Sequence, residues 1–250
     1  MRGLTDKAVL VSGGSSGIGK ATVRRFLEEG SRVVFCGHDE GEVRATTTEL
    51  ASLGSVDGVT CDVGREDDVA RLVDAAESAL GPIDVLINNA GIARRDPFLE
   101  IDVAAWDRIL RVNLTGMFLV AQAVARRMIL RKAGVIVNMA STNALGGEED
   151  FAHYNASKGG VLQLTRTMAV ELGPLGIRVN CLCPGFILTP LNDALSDPVS
   201  DAAYARDKIP LGRAGTCEEV AAAYAFLASD EASFIHGAAL VIDGGQTAVM

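Results

Sequence analysis

Histidine is scarce in this 250-residue chain, tryptophan occurs once, and no long apolar run is present. His38, His153 and His236 are scattered, without the spacing of metal ligands. Cys181-Leu182-Cys183 offers two thiols, whereas a structural zinc requires four ligands, so no metal is expected. The five cysteines (Cys36, Cys61, Cys181, Cys183, Cys217) are odd in number and lie mostly in apolar, strand-like segments. That pattern argues against a disulfide framework and for buried thiols in a reducing cytoplasm. Nothing approaches the ~18 apolar residues that span a bilayer, and no leader-like segment precedes Ala8-Val9-Leu10-Val11. Basic residues are outnumbered by acidic ones, 23 to 32, for a net charge of −9. This disfavours nucleic acid and anionic membrane surfaces as partners. Repeats, low-complexity tracts and linkers are also missing, so one domain is expected over residues 1–250.

What the chain does contain is alternation. Short apolar runs near 7–12, 32–37, 56–61, 84–88, 134–140, 177–183 and 239–242 read as strands. Val33-Val34-Phe35-Cys36 and Val135-Ile136-Val137 are nearly continuous in apolar residues, as strands covered on both faces are. Helical patterns lie between them, near 17–29, 40–53, 66–80, 103–130, 152–173 and 217–229. Strict βαβ alternation predicts an α/β fold of the Rossmann type, a doubly wound parallel sheet of about seven strands. The segment 189–215, with Pro190, Pro198 and Pro210, has no clear period and is expected to be a lid over a pocket.

Two motifs carry chemistry. After the first strand comes Ser12-Gly13-Gly14-Ser15-Ser16-Gly17-Ile18-Gly19, opening a helix. Glycines permit a tight turn and close approach of a pyrophosphate, which the helix N-terminus then receives. The spacing Gly-x-x-x-Gly-x-Gly differs from the common dinucleotide fingerprint. The second motif is Tyr154-Asn155-Ala156-Ser157-Lys158, which puts a phenol and an amine one helical turn apart on one face. Lowering a phenol from about 10 to about 7 takes roughly 4 kcal/mol, which an ammonium about 4 Å away can supply. The pair is a candidate acid/base device.

With Asn88-Asn89-Ala90-Gly91 after the fourth strand, Asn113, Ser141 and Pro184-Gly185, the whole chain resembles the short-chain dehydrogenase/reductases. The resemblance implies hydride transfer between a nicotinamide dinucleotide and a secondary alcohol or ketone. Tyr154 would be the general acid/base, Lys158 would tune it and bind the nicotinamide ribose, and Ser141 would hold the substrate oxygen. Asn113 would help hold a water linking the lysine to solvent. Cofactor contacts would come from Gly13, Ser15, Ser16, Gly17, Ile18 and Gly19, and from Asp62 and Val63 at the adenine. Asn89, Ala90 and Gly91 would wall the adenosine ribose, and Pro184, Gly185, Ile187 and Thr189 would meet the nicotinamide.

At the end of the second strand Gly37 stands where NAD-dependent relatives carry an acid, and His38 where NADP-dependent ones often carry arginine. NADP(H) is therefore expected, with NAD(H) the alternative. The expected partner is a small carbonyl or alcohol substrate, and the family implies a homotetramer. Residues 143–153, Phe186 and the lid should border the substrate, and Glu148-Glu149-Asp150 could favour hydroxyl-rich or cationic molecules. Two other readings stand beside this one. Arg94, Arg95, Arg206 and Arg213 leave open a 3-oxoacyl-thioester reductase that holds a carrier's phosphate arm. A dinucleotide sensor without turnover is the other, although such proteins usually lose the tyrosine or the lysine.

Overall fold

A computed structural model describes residues 1–190 and 198–248. Seven parallel strands form one sheet in the order β3-β2-β1-β4-β5-β6-β7. They are β1 (Ala8–Ser12), β2 (Arg32–Gly37), β3 (Val56–Thr60), β4 (Val85–Asn88), β5 (Gly134–Met139), β6 (Ile177–Pro184) and β7 (Ala239–Ile242). The helices are α1 (Gly17–Glu28), α2 (Glu40–Leu50), α3 (Glu66–Leu80), α4 (Val103–Leu110), α5 (Met117–Met128), α6 (Ala152–Leu172), α7 (Pro198–Lys208) and α8 (Cys217–Ala228).

Side chains alternate across the sheet and fill two separate cores. Val9, Val11, Val33, Phe35, Val85 and Ile87 pack with Val23 and Phe26 of α1 and Val220 and Tyr224 of α8. Their neighbours Ala8, Leu10, Val34, Cys36 and Leu86 pack with Val69 and Leu72 of α3 and Val120 and Val124 of α5. Every residue of β1 and β4 is buried, which is why these strands read as unbroken apolar runs. At the sheet edge β3, Val-Asp-Gly-Val-Thr, keeps no fully buried residue.

Two expectations change. The predicted helix 103–130 is interrupted by a π-turn at Arg111–Gly116, between α4 and α5. The segment 189–215 is not without structure, because α7 occupies its middle, while 191–197 lie outside the described residues.

The strand order reverses direction at β1, whose neighbours are β2 on one side and β4 on the other. At such a switch point the connections leave to opposite faces of the sheet and open a crevice beyond the strand ends. The register aligns Ser12 with Asn88 and Asn88 with Asn138, so the ends of β1, β4 and β5 reach the crevice together.

Candidate active site

A cleft of about 1120 Å³ opens at these strand ends. It is lined by the turn after β1, the ends of β2 and β3, the segments after β4, β5 and β6, and the start of α6. All the cofactor-site residues expected from the sequence line it: Gly13, Ser15, Ser16, Gly17, Ile18, Gly19, Gly37, His38, Asp62, Val63, Asn89, Ala90, Gly91, Pro184, Gly185, Ile187 and Thr189. Ser141, Tyr154 and Lys158 line it too. Asn113 stands just behind the wall, fully buried.

The turn after β1 is held by side chains as much as by its own backbone. Ser12 Oγ donates to Asn88 Oδ1 (3.1 Å) and accepts from the N–H groups of Asn89 (3.0 Å) and Ala90 (3.1 Å). Asn89 Nδ2 donates back to the Gly13 carbonyl at 3.1 Å. The loops after β1 and β4 therefore form one unit. Gly19 is required sterically, since a Cβ there would come within 1.8 Å of the Gly13 carbonyl oxygen. At the start of α1, Ser16 makes no side-chain capping bond, and the first turn holds no acidic residue. The helix thus presents uncapped N–H groups and its positive end to the cleft, as anion sites do.

At the other end lie the four residues singled out as catalytic. Lys158 is buried, and its Nζ donates to the carbonyl of Met139, the last residue of β5 (2.8 Å). Asn113 Oδ1 accepts from Ile92 N–H (2.8 Å), while Nδ2 donates to the Ile92 carbonyl (2.8 Å) and to Ser157 Oγ (3.2 Å). The π-turn widens the helix where Asn113 points inward, a feature common at functional sites. A Cβ on Gly91 would lie 3.4 Å from Asn113 Oδ1 and 3.5 Å from Lys158 Nζ, so glycine keeps the space between them open. Ser141 Oγ donates to Asn143 Oδ1 at 3.1 Å.

The phenol departs from expectation. Lys158 Nζ stands 5.6 Å from the Tyr154 ring centroid and is directed at Met139, not at the hydroxyl. Burial pushes the Tyr154 phenol up to about 12, the nearby Glu148 carboxylate adds to the rise, and only the Ser141 hydroxyl opposes it. Burial also lowers Lys158 to about 8. The raised phenol holds its proton at neutral pH, the form that a carbonyl reduction consumes.

Residues 143–153, Phe186 and the segment holding Tyr204 were expected beside the substrate, whereas Gln246 carried no signal in the sequence. Asn143 Nδ2 donates to Glu148 Oε2 (2.8 Å) and to Asn155 Oδ1 (2.7 Å), tying the loop after β5 to α6. Tyr204 of α7 accepts from Gln246 Nε2 at 2.8 Å and packs edge-on against Phe186. Phe186, Tyr204 and Gln246 line the same cleft as Tyr154 and Lys158, so α7 and the C-terminal segment contribute to its wall. Asp62, expected at the adenine, also serves as a turn cap, its Oδ1 accepting from Gly64 N–H (2.9 Å).

The fold recurs in solved structures. A short-chain type dehydrogenase/reductase from Mycobacterium marinum superposes with a TM-score of 0.92 at 37% identity, over 98% of this chain and 96% of that one. Residues 13–247 match the family described as enoyl-(acyl carrier protein) reductase. The chain belongs to the short-chain dehydrogenase/reductase family. Among curated members of the family, a cis-4-hydroxycyclohexanecarboxylate dehydrogenase from Sinomonas cyclohexanicum is 42% identical over 98% of both chains. A 3-oxoacyl-(acyl-carrier-protein) reductase from Thermotoga maritima is 40% identical over 97% of this chain and 98% of its own. As a short-chain dehydrogenase/reductase the protein is an oxidoreductase between alcohols and ketones, and the family's cofactor is a nicotinamide dinucleotide. Among the described residues no helix is long and apolar enough to cross a membrane.

Proposed function

We propose that the protein is an NADP(H)-dependent carbonyl reductase or alcohol dehydrogenase for a small, uncharged, hydroxyl-bearing substrate, with Tyr154 as general acid/base. The observation that carries this reading is the convergence of Tyr154, Ser141 and Lys158 with the uncapped N-terminus of α1 in one cleft. The glycine-lined turn and the uncapped helix end fit a dinucleotide pyrophosphate. When bound, the nicotinamide supplies or accepts the hydride. Ser141 and Tyr154 hydrogen-bond the substrate oxygen, which polarises the carbonyl, and Tyr154 hands over its proton as negative charge develops there. Lys158 would hold a ribose hydroxyl of the bound dinucleotide, and its positive charge would make the phenolate left behind easier to bear. Asn113 and Gly91 keep the space through which that proton is replaced.

The choice of NADP(H) is supported at the end of β2. Gly37 has no room for a side chain, since a Cβ would meet Ser15 Oγ at 2.6 Å and Val43 Cγ2 at 2.9 Å. A carboxylate that repels a 2′-phosphate cannot stand there without moving Ser15. Asp39 is occupied in capping α2 through Glu42 N–H (2.8 Å), and Glu42 accepts from Ser15 Oγ (3.1 Å). Exposed His38 is left at the rim as the donor available to a phosphate. His38→Leu should weaken NADPH binding about tenfold, the size of one hydrogen bond to a charged group, and leave NADH binding unchanged. Equal effects on the two cofactors, read by fluorescence titration, would show that His38 does not meet the phosphate.

Glu148 supports the substrate class. Burial pushes the Tyr154 and Tyr204 phenols up, and the Glu148 carboxylate in the cleft wall adds to both shifts, so it disfavours anionic substrates. The acyl-carrier reading has the similarity to the Thermotoga maritima reductase in its favour. Against it, each of its candidate basic residues has an acidic neighbour: Arg94 with Asp96 (2.8 Å), Arg95 with Asp150 (3.7 Å), Arg206 with Asp207 (3.1 Å), Arg213 with Glu219 (2.6 Å). The homotetramer remains our expectation, with Phe118 of α5 and Val170 of α6 exposed and available to a second copy. Oxidation of NADPH and NADH over a panel of hydroxyketones, ketoacids and acyl thioesters tests the whole reading. Hydroxyketones should be the best substrates, and a preference for acyl thioesters would favour the alternative.

A further inference from the structure

The three histidines occupy three different settings. His38 is exposed at the cleft rim, and His236 is spent on backbone, its Nδ1 accepting from Val179 N–H (3.1 Å) and its Nε2 lying 2.8 Å from the Ala169 carbonyl. His153 is fully buried and directly precedes Tyr154. Helix α6 begins without a side-chain cap at Phe151, so its first N–H groups need partners from elsewhere. One of them, the N–H of Tyr154, is accepted by His153 Nδ1 at 2.9 Å. Because Nδ1 accepts, the ring proton sits on Nε2, which faces Asp96 Oδ2 at 3.1 Å.

Asp96 is itself fixed. Its Oδ1 takes Arg94 at 2.8 Å, and its N–H donates to the Asp150 carbonyl at 2.8 Å. It lies five residues beyond Gly91, on the segment that leaves β4 past the cleft. The same segment is gripped a second time, at Ile92, by Asn113. The path out of β4 is therefore fastened to the helices at two points. One is the π-turn, and the other is the backbone of Tyr154.

We propose that His153, oriented by Asp96, is a positioning residue for Tyr154: it sets the first turn of α6 and couples it to the segment after β4. The proposal rests on the reading of Tyr154 as the proton donor. An error of about 1 Å in a reacting group can cost on the order of a hundredfold in rate, so a backbone clamp beside the phenol has kinetic weight. A histidine that merely fills space would affect stability and leave the rate per folded molecule alone.

Three variants separate these roles. His153→Asn keeps a side-chain acceptor near the Tyr154 N–H, His153→Leu removes it, and Asp96→Leu removes the carboxylate that orients the ring. The expected result is a kcat loss of about 10- to 100-fold in His153→Leu, with KM and cofactor Kd within about twofold and at least partial recovery in His153→Asn. Faster amide exchange in peptides covering 152–158 should accompany the loss in His153→Leu and not in His153→Asn. If His153→Leu fails to fold, Asp96→Leu carries the test, with the same fall in kcat at constant KM. Wild-type kcat in folded His153→Leu or Asp96→Leu overturns the proposal, as do equal losses in the Leu and Asn variants that simply follow Tm. Failure of the underlying reading looks different, because Tyr154→Phe would then remain active whatever stands at 153.

Discussion

Tyr154→Phe should lower kcat by about a thousandfold or more, with the cofactor bound as tightly as before. The size follows from general acid/base contributions of roughly 10²–10⁴, taken toward the upper end because Tyr154 is the group assigned to protonate the substrate oxygen. Ser141 cannot substitute, since an aliphatic hydroxyl can donate a hydrogen bond to the substrate oxygen but is far too weak an acid to give up its proton at neutral pH. Phenylalanine keeps the ring and its edge-on contact with Phe151, whose centroid is 6.0 Å away, so the helix start should survive. Thermal denaturation and cofactor titration check that the fold and the cleft are intact. Stopped assays over long incubations then measure the residual rate. Retention of a tenth of the wild-type rate would remove the phenol from the mechanism.

Lys158→Met is the second large effect, and it has two signs. Turnover should fall by about a hundredfold or more, because the phenolate loses the charge that offsets it. Stability without cofactor should rise. Burial lowers Lys158 from 10.5 to about 8, so at pH 7 the folded protein holds an ammonium in a place that disfavours it. A displacement of that size is on the order of 3 kcal/mol. Subtracting about 1 kcal/mol for the lost bond to Met139 leaves a gain of about 2 kcal/mol, or roughly 4–8 °C in Tm.

The pH dependence follows with its sign. Between about pH 8 and 10.5 the unfolded chain still holds the lysine proton that the folded chain has released, so wild-type stability rises with pH through this window. Tyr154 acts oppositely. Its phenol, raised from 10 to about 12, keeps its proton in the folded state after the unfolded chain has lost it, and stability falls as pH passes 10. Lys158→Met should flatten the rising limb and leave the falling one. A variant that melts below the wild type at pH 7, with an unchanged rising limb, would contradict the account of the buried amine.

This stored cost explains why the pair looked simpler in the sequence than it is in the fold. Four-residue spacing establishes which side chains share a helix face, and Tyr154 and Lys158 do share the cleft. Spacing says nothing about where a four-carbon amine ends, and the end of β5 supplies a carbonyl that draws Nζ away from the phenol. The phosphate turn was more legible, because its glycines answer local demands such as the closed space beside the Gly13 carbonyl. The strands were legible for a similar reason: double-sided burial leaves unbroken apolar runs.

The misread segments are those decided by distant contacts. The π-turn at Arg111–Gly116 has no compositional mark, and Asn113 is drawn inward by bonds to Ile92 and Ser157. Around α7 the prolines looked like breakers, yet Ala202, Ala203 and Ala205 between them are good helix formers. His153 could not be assigned from its neighbours, because its partner Asp96 is 57 residues away in the chain.

The central claim is hydride transfer between a nicotinamide bound in this cleft and a substrate carbon, with the proton supplied by Tyr154. The measurement that tests it most directly is reduction of the best hydroxyketone with NADPH deuterated at C4, each epimer in turn, followed by mass analysis of the alcohol. One epimer should deliver a single deuterium to the carbinol carbon, and Tyr154→Phe should suppress that product. An unlabelled alcohol from both epimers, or labelled product formed equally well by Tyr154→Phe, would contradict the account.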